Sequence, residues 1–577
     1  MSTYKNRRTP GVYVTELNAF PRSVPGVQTA VPAFIGYTEQ ASIGGKPAYL
    51  KPVAINSLAD YQQVFGGAFY PIYDIKQVTS PTATNYDFMA QIWDDSKKTF
   101  VPTYYALERT HEVPIHAMAE LALTDHSVDA GNPALGTFTL YDSVRLFYEN
   151  GGGPCFVVSV GPYATTDTDS KKTLSPVTKT SLDDGLDAIR EQVGPTMLVV
   201  PDAVLLGTGG EFHEICQKML QQCADLQDRV AILDIYGTGI LDPRLPAVDL
   251  SKEIDDRIEA FRTGIGERYL NYGMAYFPFL VTSVITPREI TYTSISATMQ
   301  TGLLTTILTN QASYLYPGTA PGKQGPTDND NPAFTKQIMP LIKRLDPTNA
   351  DHPKDTSAVT MLDQNLVNAI PLMGQIQTII ATKMSLLPAS GAMAGVYSYI
   401  DSTRGVWNAP ANVTLNSVLR PNVNINGDLQ GPLNAPIGGK SVNVIREFVG
   451  RGPVVWGART LDGNSLDWRY IQVRRTSVYI EQSIKTALNQ FVFAANNGST
   501  WVAVTAMVSN FLQNLWSQGG LMGDKASEAF TVQCGKGSTM TDLDILEGYM
   551  IVQVTLQMIH PAEFIELTFK QRMGAMG

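Results

Sequence analysis

The sequence predicts a multi-domain α+β protein, and three observations carry that prediction. At 577 residues the chain exceeds what one hydrophobic core supports, so it divides into roughly three or four domains. Between Thr196 and Phe279 apolar strands alternate with helices, the pattern of a small, partly parallel sheet. From Ser441 to Lys570 two long helices with apolar stripes precede two alternating strands separated by one proline.

Residues 1–25 read as an extended arm: Gly11-Val12-Tyr13-Val14-Thr15-Glu16-Leu17 is of strand type, and Pro21 and Pro25 keep the residues around them from becoming helical. Thr29–Tyr37 reads as the first buried strand of a folded domain. Asp74–Val160 gives no clear pattern, and the Thr-rich segment Thr165–Thr180 reads as a surface loop or part of an insertion. The α/β stretch comprises strand Thr196–Val200, helix Glu211–Leu226, strand Arg229–Ile235, helix Ser251–Gly266 and strand Tyr272–Phe277. Tyr316–Asp355 is rich in Pro, Gly, Asn and Asp and reads as a long exposed loop or another insertion. Asn408–Lys440 has a similar composition and reads as a linker.

In the C-terminal region the spacing predicts a helix over Thr476–Asn496, striped by Ile480, Ile484, Leu488, Phe491 and Ala495, with Glu481 and Lys485 as an i,i+4 pair. Gly498-Ser499 breaks it and caps a second helix on which Trp501, Val504, Val508, Phe511 and Leu515 recur. No charged residue occurs from Trp501 to Leu521, so that helix is expected to be buried nearly all round or against another chain. Met550–Met558 alternates as a strand, with Val552, Val554 and Leu556 on one face. Beyond Pro561, Ile565, Leu567 and Phe569 alternate with Glu566, Thr568 and Lys570.

Composition narrows the function. The net charge of −10 opposes wrapping of nucleic acid. Residues 441–577 hold 11 basic and 11 acidic side chains, leaving 32 against 42 before them, so the first 440 residues carry the whole imbalance. An acidic exterior joined to a neutral interior keeps a large assembly soluble without self-repulsion at its contacts. The charged fraction of 17% is below the usual quarter and suits a surface covered by partners. Four cysteines (Cys155, Cys216, Cys223, Cys534) make no disulfide framework and point to a reducing compartment. The N-terminus lacks a signal-peptide pattern, and the most apolar stretch, Tyr272–Ile285, is too short to span a bilayer.

Candidate chemistry is thin. Gly207-Thr208-Gly209-Gly210 lies between strand and helix, but the third glycine of a dinucleotide loop falls on Phe212. Gly439-Lys440-Ser441 ends like a phosphate loop, but the earlier glycine position is Asn434. His213, Cys216 and Cys223 share a helix face and read as core packing rather than a metal site. Asp542, Asp544 and Glu547 read as a solvated turn. No catalytic, cofactor-binding or metal-binding residue is assigned.

The chain ends are different. Strands at the tips expose unpaired N–H and C=O groups, and β-augmentation of another subunit explains them most simply; the alternative is pairing within their own chain. Residues 1–22 carry Lys5, Arg7, Arg8 and Arg22 against Glu16, whereas residues 541–577 carry two basic side chains against Asp542, Asp544, Glu547, Glu563 and Glu566. A net +3 arm beside a net −3 sheet is complementary.

Several motifs carry a resemblance to the tail sheath proteins of contractile phages and contractile injection systems. They are Thr9-Pro10-Gly11-Val12-Tyr13-Val14-Thr15-Glu16, Tyr272–Phe279, Pro388–Gly395 with Asp401 and Arg404–Asn412, Gly452–Thr460, and Val473-Arg474-Arg475. The match is strong over residues 1–65 and 385–572, moderate over 190–285 and weak elsewhere. The segments Asn18–Pro21 and Ala30–Glu39 resemble extracellular injection systems more than typical phages.

The resemblance implies an N-terminal arm (1–25), the start of a middle domain (26–75), inserted outer α/β domains (76–385), a return and linker (386–440), a tube-facing C-terminal domain (441–560) and a C-terminal arm (561–577). Val12, Tyr13, Val14, Thr15, Glu16 and Leu17, and Ile565, Glu566, Leu567, Thr568 and Phe569, are then the exchanged strands. Val552, Val554 and Leu556 belong to the acceptor sheet, and Lys525, Glu528 and Lys536 are candidates to face the tube. The implied function is a non-enzymatic subunit that polymerises helically around an inner tube and contracts to drive it through an envelope. No cofactor is expected. The implied partners are other copies, the inner tube, and baseplate and terminal cap proteins, with no nucleic acid and no membrane insertion. Assembly would take place in the bacterial cytoplasm, within a phage tail or a phage-tail-like particle. The alternatives are a non-contractile tube or capsid-like protein, and an α/β nucleotide-binding enzyme.

Overall fold

A computed structural model describes residues 24–82, 85–110, 138–166, 172–241 and 243–566. The chain divides into two compact units, one of residues 28–478 and one of residues 1–27 with 479–577.

The larger unit is organised by one eight-stranded sheet. Its strands are β1 (Pro32–Thr38), β2 (Val53–Ile55), β3 (Cys155–Pro162), β4 (Met197–Val199), β5 (Val230–Leu233), β6 (Gly273–Phe277), β7 (Asn443–Phe448) and β8 (Gly452–Val455), in the order β8-β7-β6-β5-β4-β1-β3-β2. The six from β7 to β3 are parallel and the two edges antiparallel. Strands β1, β4, β5 and β6 are buried along their whole length, which is why each reads as an apolar run rather than an alternation. Helices α1 (Leu140–Glu149), α2 (Lys179–Arg190), α3 (Gly209–Leu226), α4 (Ala247–Gly264) and α5 (Ser390–Arg404) accompany this sheet. A three-stranded antiparallel sheet, with Thr99–Arg109 in the middle between Tyr73–Val78 and Phe88–Asp94, occupies the stretch that gives no clear pattern in sequence.

The α/β stretch forms as expected to within a few residues, but it is not a sheet of its own. Its strands β4–β6 continue β1 on one side and β7 on the other, so strands assigned from sequence to the middle domain, the insertion and the C-terminal domain share one core. Period and propensity locate strands; register between distant segments is a tertiary property. The stretch read as a long exposed loop or another insertion, and the one read as a linker, both contain elements. Tyr316–Asp355 includes helical turns Ala333–Ile338 and Met339–Lys343, and Asn408–Lys440 includes strand Val418–Pro421 and helix Gly427–Asn434.

The smaller unit is built on α6 (Ile471–Leu488), inside which the division between units falls, and α7 (Gly498–Ser517). The first helix starts five residues earlier than predicted and ends at Leu488, with Asn489–Phe491 forming a tighter turn. The second is capped by Asn497, whose side chain accepts from the Thr500 amide, not by Gly498-Ser499. It buries Val504, Met507, Val508, Phe511, Leu512 and Leu515, while Val502 is 71% exposed. The uncharged helix is thus buried on one face, not nearly all round. The last elements are β9 (Phe530–Gln533) and β10 (Gln553–Leu556), an antiparallel pair with Phe530 opposite Leu556 and Gln533 opposite Gln553. The predicted strand Met550–Met558 is ladder-bonded only over its central four residues.

Candidate assembly interface

The β9–β10 pair is the element of interest. With four residues in each strand it lies below the size at which a two-stranded sheet is stable by itself, and α7 packs against β9. The predicted alternation is present: Val552, Val554 and Leu556 are half-buried, and Gln553, Thr555 and Gln557 are exposed. In a pair each strand uses one edge, and among the described residues no third strand lies on either outer edge. Both edges therefore present the backbone groups that natural proteins normally cover.

The surroundings share this character. Of the large apolar side chains exposed among the described residues, ten lie between 479 and 566 and fifteen in all the described residues before them. They include Phe493 at the tip between α6 and α7, Leu543, Leu546 and Tyr549 after β9, and Phe564 and Ile565 after β10. Exposed apolar side chains at this density suit a surface covered by partners.

The structure locates the predicted interface residues as far as it describes them. Ile565 and Glu566 are exposed and form no strand. Leu567, Thr568 and Phe569, and the whole N-terminal set Val12–Leu17, lie outside the described residues. Val24 is buried and the Val27 amide donates to Ser483 Oγ at 3.2 Å, so Val27 lies on the second half of α6. Lys525 precedes the short helix Ala526–Ala529, the Glu528 carboxylate accepts from the Asp524 amide, and Lys536 pairs with Asp542.

The residues of α6 that belong to the larger unit include two arginines, of which the sequence showed only the motif. The Arg475 guanidinium makes a bidentate pair with Asp401, at 2.6 and 2.9 Å, and both side chains are at most 5% exposed. It also lies 4.5 Å from the Tyr397 ring centroid. Arg474 sits between the Tyr272 and Trp468 rings, at 4.6 and 4.5 Å.

The residues weighed for chemistry have structural surroundings. Cys216 and Cys223 are buried, and burial pushes both thiols up. His213 packs edge-on to Phe212 and near Phe261, and burial lowers its pKa. Thr208 caps α3 by accepting from the Glu211 amide. Lys440 donates to the Arg262 carbonyl at 2.6 Å and pairs with Glu267. Thr541 and Asp544 form a reciprocal cap at the turn after β9.

In a parallel sheet the natural ligand crevice lies beyond the strand carboxyl ends, where the chain reverses its direction of winding. Here that point falls between β1 and β4. It is filled by Asp202, whose carboxylate accepts from the Tyr37 amide (2.8 Å), the Thr139 amide (2.7 Å) and the Thr139 hydroxyl (2.9 Å). A side chain on Gly36 would collide with it. At the end of β5, Asp234 accepts from the Ser390 amide at 2.9 Å and caps α5.

Residues 464–572 match the model of the phage tail sheath C-terminal domain. The PVC sheath complex of an extracellular contractile injection system, in its contracted state, aligns over 98% of this chain and 98% of its own, at 24% identity and a TM-score of 0.52. The helical sheath of the anti-feeding prophage, also contracted, aligns over 98% and 100% at 24% identity and a TM-score of 0.51. The chain has the sheath fold. The 6-fold symmetrised baseplate of the anti-feeding prophage contains a chain that aligns equally well, over 98% and 100% at 24% identity and 0.51. No curated protein matches the sequence. The sheath C-terminal domain match covers α7, β9, β10 and all of α6, so the open-edged pair lies inside the matched region.

Proposed function

We propose that this protein is the structural subunit of a contractile sheath, which polymerises helically around an inner tube and contracts to drive that tube through a target envelope. The observation that carries the reading is the β9–β10 pair, a sheet too small to stand alone and, among the described residues, open at both edges, within residues that match the sheath C-terminal domain. Val552, Val554 and Leu556 lie in or beside its acceptor strand. The donors are Val12–Leu17 of one neighbour and Ile565–Phe569 of another. Residues 441–560 face the tube, with Lys525, Glu528 and Lys536 as contacts, and the inserted outer region lies within 76–385. The likeness to PVC and anti-feeding prophage sheaths and to a baseplate chain supports baseplate association.

The energy of contraction comes from tighter packing of subunits against one another in the short state, not from nucleotide hydrolysis. The filling of the strand-end crevice by Asp202 supports this and weighs against the α/β enzyme reading. Electron microscopy of the expressed full-length protein tests the proposal. The expected result is hollow helical tubes at two lattice lengths; one fixed length would favour a static tube, and bound nucleotide with no polymer would favour an enzyme.

A further inference from the structure

The β7–β8 hairpin presents two arginines beside a tilted, partly exposed aromatic pair. The Phe448 and Trp456 rings lie 4.7 Å apart, the Arg446 guanidinium sits 5.3 Å from the Phe448 centroid, and Val449 at the tip is fully exposed. Both arginines are held by neutral amides: Arg446 Nη1 donates to Gln430 Oε1 at 2.9 Å and Arg451 Nη2 to Asn412 Oδ1 at 2.8 Å. Neither meets a carboxylate among the described residues. The same Gln430 donates to the Trp456 carbonyl at 2.6 Å, which braces the hairpin. Oriented, un-neutralised guanidinium groups beside aromatic rings have the composition of interface hot spots, and they call for a partner that is both apolar and anionic.

The chain itself offers such a surface. On the short helix Asp542–Leu546 and the turn after it, Leu543, Leu546 and Tyr549 are 60% exposed or more. Exposed Glu547 lies between them and meets no cation among the described residues, unlike Asp542, which pairs with Lys536. We infer that the β7–β8 hairpin of one copy docks on the Leu543–Tyr549 turn of another copy, with Arg446 and Arg451 facing Glu547. The inference rests on the sheath reading and deepens it. Two different surfaces are joined, so the contact is heterologous, and repeated it generates a ring or an open helix rather than a closed dimer. The charge of the whole chain, −10, makes a nucleic acid a poor rival for the hairpin.

A charge swap tests this. Arg451→Glu and Glu547→Arg alter exposed side chains, so each variant should melt as the wild type does. Each alone is expected to raise the protein concentration needed for polymerisation by about tenfold or more, and the double variant Arg451→Glu/Glu547→Arg to return it to within about threefold of wild type. Single variants that polymerise normally, or a double variant that stays as defective as either single, overturn the docking while leaving the sheath reading intact. Normal polymers from Arg451→Glu that no longer take up an inner tube or a cap protein would assign the hairpin to that partner and also overturn it. A wild type that forms no polymer sinks both.

Discussion

At the scale of the residue, buried charge decides the most. The Arg475–Asp401 pair is stripped of water on both sides, so removing one partner leaves the other uncompensated. Asp401→Ala should lower stability by about 3–5 kcal/mol, whereas replacing both residues with apolar side chains of similar volume should cost much less; denaturant titration of the three proteins distinguishes these outcomes. Asp142 is a different case. It is buried with one carboxylate oxygen lacking a hydrogen bond, and burial pushes its pKa up to about 7, with Arg145 opposing and Glu289 adding. Its folded-state pKa exceeds its unfolded value, so its favourable contribution is complete below about pH 4 and is lost as pH rises toward 7. Asp142→Asn should therefore stabilise the protein more at pH 8 than at pH 5, by roughly 1–3 kcal/mol in the difference. Denaturation midpoints for variant and wild type at the two pH values check the sign, and a gain that is equal at both, or larger at pH 5, rejects the account.

At the scale of the element, the contrast between covered and open sheet edges is informative. The edge strand Phe88–Asp94 of the three-stranded sheet is closed by a helix: the Gln91 amide donates to Gln311 Oε1 and the Trp93 amide to Asn310 Oδ1, each at 2.9 Å. Such capping removes an edge from competition for foreign strands. No comparable side-chain cover lies on β9–β10 among the described residues. The Gln557 amide donates to the Ala529 carbonyl, so by alternation the Val554 amide, opposite Val532, faces the outer edge of β10. Val554→Pro is therefore expected to block assembly while the larger unit melts unchanged, because proline cannot donate to a ladder; sedimentation and a thermal melt read the two effects. The cap of α7 is a milder test. Asn497→Ala removes the acceptor for the Thr500 amide and should cost about 1 kcal/mol, measurable as a lowered melting temperature.

At the scale of the whole molecule, the ends and the charge belong together. The basic N-terminal residues and the acidic residues 541–577 suit donation of one copy's end to another, and deletion of residues 1–17 should leave a soluble monomer that forms no ordered long sheath. Ordered sheaths from that truncation, seen by electron microscopy, would remove the tether from the proposal. The chain's acidic excess lies ahead of residue 441, so high salt should weaken contacts built on charge more than those built on strand pairing.

Local patterns in the sequence were enough to locate β4, β5 and β6, helices α3 and α4, and the alternation around β10, because hydrophobic period and turn residues act over a few positions. The match of motifs along the chain was likewise legible, since it depends on order and not on distance. Three-dimensional packing alone decided that β1, β4–β6 and β7 form one sheet, because register joins segments hundreds of residues apart. It also decided that Asp202 fills the strand-end crevice, that α7 is exposed on one side, and that Arg446 and Arg451 stand without a carboxylate among the described residues. Burial and charge pairing depend on which neighbours the fold brings near, and no short window of sequence contains them.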